Sequence, residues 1–224
     1  MKRIAFSSLT LADLRSLVDI VEGGVGDYAW TRVDEVALTA DLQRQVQDVQ
    51  GRLVNYRTQL VNEATIWSRA IYPLLVLAEQ DFVQAWAGVS LQGTYPHFEL
   101  FGVTDGVLGS SLAGEVEAPY LVVLETKRGV DAPNPQFQLY GQILAAARMN
   151  WNLDQQPTQA IFGCYTIADV WTFLRAEVTN LEGDRPCMTL ETSREYSEKL
   201  EAETIVKILR QAVAQKISFS QIMA

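Results

Sequence analysis

Apolar positions along the chain change their spacing several times, and each change predicts a different kind of element. Leu11, Leu14, Leu17, Val18 and Val21 recur at helical intervals behind Ser8 and Thr10, so a helix is expected over 8–22, ended by Gly23-Gly24-Val25-Gly26. Thr39 then stands as the cap of a second helix, whose stripe is Leu42, Val46, Val49, Leu53 and Tyr56. Helical spacing resumes through Leu60, Trp67, Ile71, Leu74, Leu75 and Leu77, with Pro73 marking a kink or boundary.

From Pro96 the period shortens. Phe98, Leu100, Phe101, Val103, Val107 and Leu108, interrupted by Gly102, Gly106 and Gly109, predict a strand, a turn and a bulge near Asp105. Tyr120 to Leu124 is an unbroken apolar run, the mark of a central strand covered on both faces, and Glu125-Thr126-Lys127 ends it. A loop over 129–135 leads to a helix through Phe137, Tyr140, Ile143, Leu144 and Ala147, ending near Asn150. Strands are expected at 160–165 and 170–178 around a turn at Ile167-Ala168-Asp169. A closing helix over 197–216 carries Leu200, Ile205, Ile208, Leu209 and Val213. The sum is an α/β chain with a mixed central sheet flanked by helices, divided into an N-terminal helical region, 1–59, and a domain over 60–224. The helical region either packs on that domain or mediates a homodimer.

Composition fits such a reading. A chain of 224 residues with 48% hydrophobic and 20% charged residues buries one core without a second domain. No apolar run is long enough to cross a bilayer, and Asp13, Arg15 and Asp19 interrupt the stretch where a signal peptide would run, so a cytoplasmic protein is expected, with no membrane partner. Cys164 and Cys187 lack metal or redox spacing and are expected as core thiols. A single histidine, His97, removes imidazole-based triads. The glycines around Gly106 are followed by no Gly-Lys-Ser/Thr, so they do not spell a phosphate-cradling loop. Trp67, Trp86, Trp151 and Trp171 sit among apolar neighbours and are expected in the core.

The chemistry concentrates at Asp105 and at Glu125-Thr126-Lys127. Along a strand the period of two sends Glu125 and Lys127 to one face, placing a carboxylate and an ammonium together, and Asp105 on the preceding strand completes an oxygen cage. Hydrolysis of a phosphodiester needs an acidified water and neutralisation of the pentavalent transition state, which a bound Mg²⁺ supplies. Asp105 and Glu125 are then metal ligands, with the Thr126 carbonyl a third, while Lys127 orients the attacking water. The rival is a solvated strand end with no chemistry.

The order of these residues resembles the PD-(D/E)XK nuclease superfamily, through Gly102-Val103-Thr104-Asp105-Gly106 and Leu124-Glu125-Thr126-Lys127, with Thr104 where the superfamily has proline. The resemblance spans about residues 60 to 215 and implies a restriction-endonuclease-like fold. Asn62-Glu63-Ala64-Thr65 is similar to the opening helix of nuclease domains in type I restriction subunits, which makes Glu63 a candidate metal ligand beside the reading of a solvated helix charge. Gln136 to Tyr140 is similar to the Gln-x-x-x-Tyr element of RecB-like nucleases. Gln136 and Tyr140 are therefore taken as the pair presented to the site, and Gln142 as helix-surface solvation. The resemblance implies a nuclease using Mg²⁺, with Mn²⁺ as a substitute, and nucleic acid, chiefly DNA, as the partner.

The formal charge of −9 opposes that partner, because phosphate binding draws on Lys and Arg. A metal and a basic rim of Arg57, Arg69, Arg128, Arg148 and Arg175 would answer the objection. A binding or assembly module keeping the fold, alone or in a larger complex that supplies recognition, is the alternative.

Overall fold

Side-chain hydrogen bonds fix where the first helices begin. Thr10 caps α1 (Leu11–Leu17) in a reciprocal box with Asp13, Thr39 caps α2 (Ala40–Leu53) through the Leu42 N–H, and Asn62 caps α3 (Glu63–Ile66) through the Thr65 N–H. The chain runs on from α3 through one π-helical stretch, Trp67–Ile71, into α4 (Tyr72–Leu77), with Pro73 tolerated in the first turn of α4. The computed structural model describes residues 1–130 and 134–222, those from 216 to 222 by backbone alone. Part of the expected loop over 129–135 therefore lies outside the described residues.

Among the described residues, eight strands form one mixed sheet: β1 (Lys2–Ala5), β2 (Asp19–Val25), β3 (Val83–Thr94), β4 (Phe98–Leu112), β5 (Glu115–Lys127), β6 (Thr158–Ile167), β7 (Val170–Thr179) and β8 (Cys187–Ser197). The order is β1-β4-β5-β6-β7-β8-β2, with β3 on the other edge of β4. α5 (Gln136–Asp154) makes the crossover between the parallel strands β5 and β6, and α6 (Glu198–Ile222) closes the chain. One core lies between the sheet and α2, α4 and α6, through Val46, Leu74, Leu124, Trp171 and Ile205. The other lies beneath α1 and α5, through Leu14, Val123, Leu139, Ile143 and Leu174. The class is α/β in three layers, as the pattern implies. Among the described residues no helix is long and apolar enough to cross a membrane.

Four differences from the expected elements matter. The helix expected over 8–22 stops at Leu17, and Asp19–Val25 is a strand paired in parallel with β8. β1 likewise pairs with β4, so residues 1–59 are not purely helical: they supply strands to the sheet they were expected to flank. No turn interrupts β4 at Asp105: the strand runs unbroken from Phe98 to Leu112, and β3 pairs with it in one register from Glu99 to Thr104 and again from Gly106 to Ser110. Leu200, assigned to the buried stripe of the last helix, is 80% exposed, while Ile205, Ile208, Leu209 and Val213 are buried. The α6 stripe starts late because Glu201 has non-helical backbone angles and breaks the phase.

The sheet opens where the candidate chemistry lies. β3 occupies one edge of β4; the other edge pairs with β1 over Phe98 to Phe101 and with β5 over Gly106 to Leu112. Residues 102–105 thus face a fork between β1 and the end of β5. At the same level both β3 and β4 exchange inner faces. Val83 and Ala85 belong to the α4-side core and Val89 and Leu91 to the α5-side core, just as Leu108 and the pair Phe98 and Leu100 do in β4. Gly88, at φ +65°, supplies the left-handed backbone conformation that lets β3 make this exchange.

Candidate active site

Asp105 sits at the inner corner of the fork. Its Oδ2 accepts the Thr126 N–H at 2.6 Å, which bridges β4 to β5 beyond their ladder. Thr104, in the position where the resembled motif has proline, is buried, and its hydroxyl has three acceptors around one proton: Leu124 O at 2.8 Å, Gly106 O at 3.2 Å and Gln142 Oε1 at 3.2 Å. The shortest of these bonds ties β4 to β5 just before Glu125. Gly106 has no room for a side chain, since a Cβ there would meet Trp67 Cη2 at 2.7 Å and Leu75 Cδ1 at 2.9 Å. The Asp-Gly pair therefore lets Trp67 lie against the sheet beside the carboxylate.

Glu125 and Lys127 share a face, as the strand period requires, and Lys127 Nζ donates to Glu125 Oε1. Gln142, from α5, donates to Glu125 Oε2 at 2.5 Å. Sequence reasoning assigned Gln142 to the helix surface. It is instead fully buried, because α5 is covered on nearly every side from Leu139 to Ala147. A polar residue inside so apolar a run signals a buried partner, and Thr104 and Glu125 are those partners.

Thr126 points to the opposite layer. It lines a cavity of about 280 Å³ with Asp105, Glu63, Ala64, Trp67 and Gly88. Glu63 stands exposed at the start of α3, on the rim of this cavity. Asp105 and Glu63 face that cavity, and Glu125, Lys127 and Gln142 are bonded to one another at the same strand end. Among the described residues no three His, Cys, Asp or Glu side chains already converge to hold an ion.

The groups nevertheless feel one another. Burial pushes Glu125 up to about 7, the nearby Asp105 charge pushes it the same way, and the bonds from Lys127 and Gln142 oppose both. Asp105 is also raised, first by burial and also by Glu63, against the pull of the Thr126 N–H and Lys127. Burial lowers Lys127, but its bond to Glu125 and the charges of Glu125, Glu63 and Asp105 outweigh that effect and leave it raised. Carboxyls held above their ordinary range by burial and mutual repulsion are groups that a cation would relieve. The donors are hard oxygens, so the set fits Mg²⁺ or Mn²⁺ in kind.

Gln136 and Tyr140 do not join this cluster. Gln136 Nε2 donates to the Tyr140 hydroxyl at 2.8 Å, and that hydroxyl donates to Glu22 Oε1 at 3.0 Å. Gln136 lines a separate cleft of about 540 Å³ with Arg15, Ile20, Glu22 and Arg185. The reason is rotational: two residues on from Tyr140, Gln142 lies on the opposite side of the helix and takes the place beside Glu125.

The remaining residues divide similarly. Arg148 donates to Leu181 O at 2.8 Å and stacks over Trp151, and Arg175 pairs with Glu177 at 2.6 Å. Arg57, Arg69 and Arg128 are exposed. His97 pairs with Asp184 at 2.8 Å on the surface. Cys164 is buried as expected, and Cys187 is only partly so, since it opens an edge-proximal strand. Neither a protein-family model nor a curated protein matches this chain.

Proposed function

We propose that this chain is a metal-dependent nuclease with a restriction-endonuclease-like, PD-(D/E)XK arrangement, hydrolysing phosphodiester bonds of DNA in the cytoplasm. The observation that carries the reading is the fork between β4 and β5, where Asp105 is bonded to the backbone of the same strand end that presents Glu125 and Lys127. Asp105, Glu125 and Glu63, with the Thr126 carbonyl, are the residues that would hold Mg²⁺. The ion would supply an acidified water and a counter-charge to the pentavalent transition state. Lys127 brings an ammonium to that charge, Gln142 and Thr104 fix the Glu125 carboxylate, and the exposed arginines Arg57, Arg69 and Arg128 offer contacts to phosphates despite the net charge of −9.

A second reading has its own support. Both Glu125 oxygens are already engaged, by Lys127 and Gln142, which suits a scaffold that keeps the fold for binding or assembly. Incubation of supercoiled plasmid with the full chain and Mg²⁺ or Mn²⁺ separates the two. Cleavage that is lost in Lys127→Ala supports the nuclease; no cleavage of double- or single-stranded DNA or of RNA, together with no Mn²⁺ uptake by calorimetry, supports the scaffold.

A further inference from the structure

Behind the Asp105 cavity lie buried polar atoms with no hydrogen-bond partner among the described residues: Thr126 Oγ1, Thr166 Oγ1 and Glu198 Oε1. Each of these residues is at most 1% exposed. The strand register sets them in line. Thr126 is opposite Thr166 across β5 and β6, Thr166 is opposite Trp171 across β6 and β7, and Trp171 Nε1 donates to Glu198 Oε2 at 3.0 Å. All point into the layer beneath α2, α4 and α6, because Leu124, Cys164 and Trp171 on the same strand faces belong to that core.

An unpartnered buried hydroxyl bears its full desolvation penalty, so several on one face of neighbouring strands call for a shared remedy. The Thr126 and Thr166 hydroxyls stand opposite each other on neighbouring strands without bonding each other, an arrangement suited to a bridging molecule that both donates and accepts. The charge balance selects its chemistry. Burial raises Glu198 to about 8, Asp169 pushes it the same way, and the Trp171 bond opposes both. Other charged groups nearby are turned away: Lys199 Nζ bonds Tyr56 O at 2.8 Å, and Glu201 pairs with Arg194 at 2.7 Å. Tyr196, also raised by burial, completes the titratable surroundings on β8. Near neutral pH the row therefore offers hydroxyl and carboxyl groups rather than a concentration of negative charge.

We infer that Thr126, Thr166 and Glu198 seat ordered water, forming a buried relay that joins Glu198 to the back of the Asp105 cavity. The inference is independent of the nuclease reading. Water at Glu198 Oε1 stabilises the carboxylate by hydrogen bonding, so removing a hydroxyl that holds it raises the titration midpoint.

The test is the carboxyl carbon of Glu198, followed by NMR in ¹³C-glutamate-labelled full chain from pH 5 to 10 and assigned with Glu198→Gln, alongside a high-resolution crystal structure. Water density bridging Thr166 Oγ1 and Glu198 Oε1, a wild-type midpoint near 8 and an increase of roughly half a pH unit or more in Thr166→Val are expected. Thr126→Val tests the relay from its other end if Thr166→Val does not fold. An unchanged midpoint in the variants, density too weak for water, or an anomalous signal from Rb⁺ at the row would overturn the inference.

Discussion

The Oδ2 atom of Asp105 accepts the Thr126 N–H at 2.6 Å across a gap in which β4 has neither β1 nor β5 as ladder partner. One carboxylate therefore closes the fork and supplies its charge. Asp105→Asn keeps an oxygen for the Thr126 N–H while removing the charge, so the fold should persist with Mn²⁺ binding lost. Asp105→Ala should in addition lose roughly 1–3 kcal/mol in urea unfolding, because the Thr126 N–H is left unpaired. A variant Asp105→Asn that still binds Mn²⁺ with wild-type affinity would remove Asp105 from the ligand set.

Lys127 carries the ammonium proposed to meet developing charge. On the nuclease reading Lys127→Ala lowers the cleavage rate about 10²- to 10³-fold, measured as single-turnover plasmid nicking at saturating Mg²⁺. Equal rates for variant and wild type would place the positive charge elsewhere.

Gln142 and the pair Gln136 and Tyr140 make opposite predictions. Gln142→Ala removes a donor from buried Glu125 and should destabilise the chain by roughly 1–3 kcal/mol and weaken Mn²⁺ binding. Gln136→Ala and Tyr140→Phe act in the separate cleft beside Glu22 and should leave Mn²⁺ affinity unchanged. Calorimetry on the three variants reads both outcomes, and reversed results would restore Gln136 and Tyr140 to the site.

Glu198 makes stability depend on pH. Its folded value of about 8 lies above its ordinary 4.5, so between these values the folded chain holds a proton that the unfolded chain releases. Stability therefore falls as pH rises across that window, by up to roughly 1.4 kcal/mol per pH unit for one such group. Glu125, raised to about 7, adds the same trend up to neutrality. Glu198→Gln should flatten the slope between pH 7 and 8 and unfold at higher urea than wild type at pH 9; parallel curves for the two proteins would show that Glu198 ionises normally.

Much of the architecture is legible in the residues, and the gaps have physical causes. The apolar run Tyr120 to Leu124 marks a strand buried on both faces, and Thr39 and the stripe from Leu42 to Leu53 mark α2. β3 is harder to see because its alternation reverses phase at Gly88: Val83 and Ala85 face one core, Val89 and Leu91 the other. β2 hides behind a coincidence, since Val18 and Val21 continue the helical spacing of Leu14 and Leu17 while the backbone has already turned to extended geometry at Val18. The contact of Glu125 with Lys127 follows from strand period alone. The contact with Gln142 does not, because it depends on how α5 is rotated over the sheet, and neighbouring side chains decide that.

The N-terminal strands give the molecule an unusual order of assembly. β1 aligns Lys2 with Phe98, and β2 aligns Asp19 with Cys187, so the segment synthesised early must wait for partners that leave the ribosome much later. These are the most non-local pairings of the sheet, and loop closure over such spans slows folding. Docking of the first strands is therefore a late event in folding, and until it happens β8 presents an open border to other nascent chains.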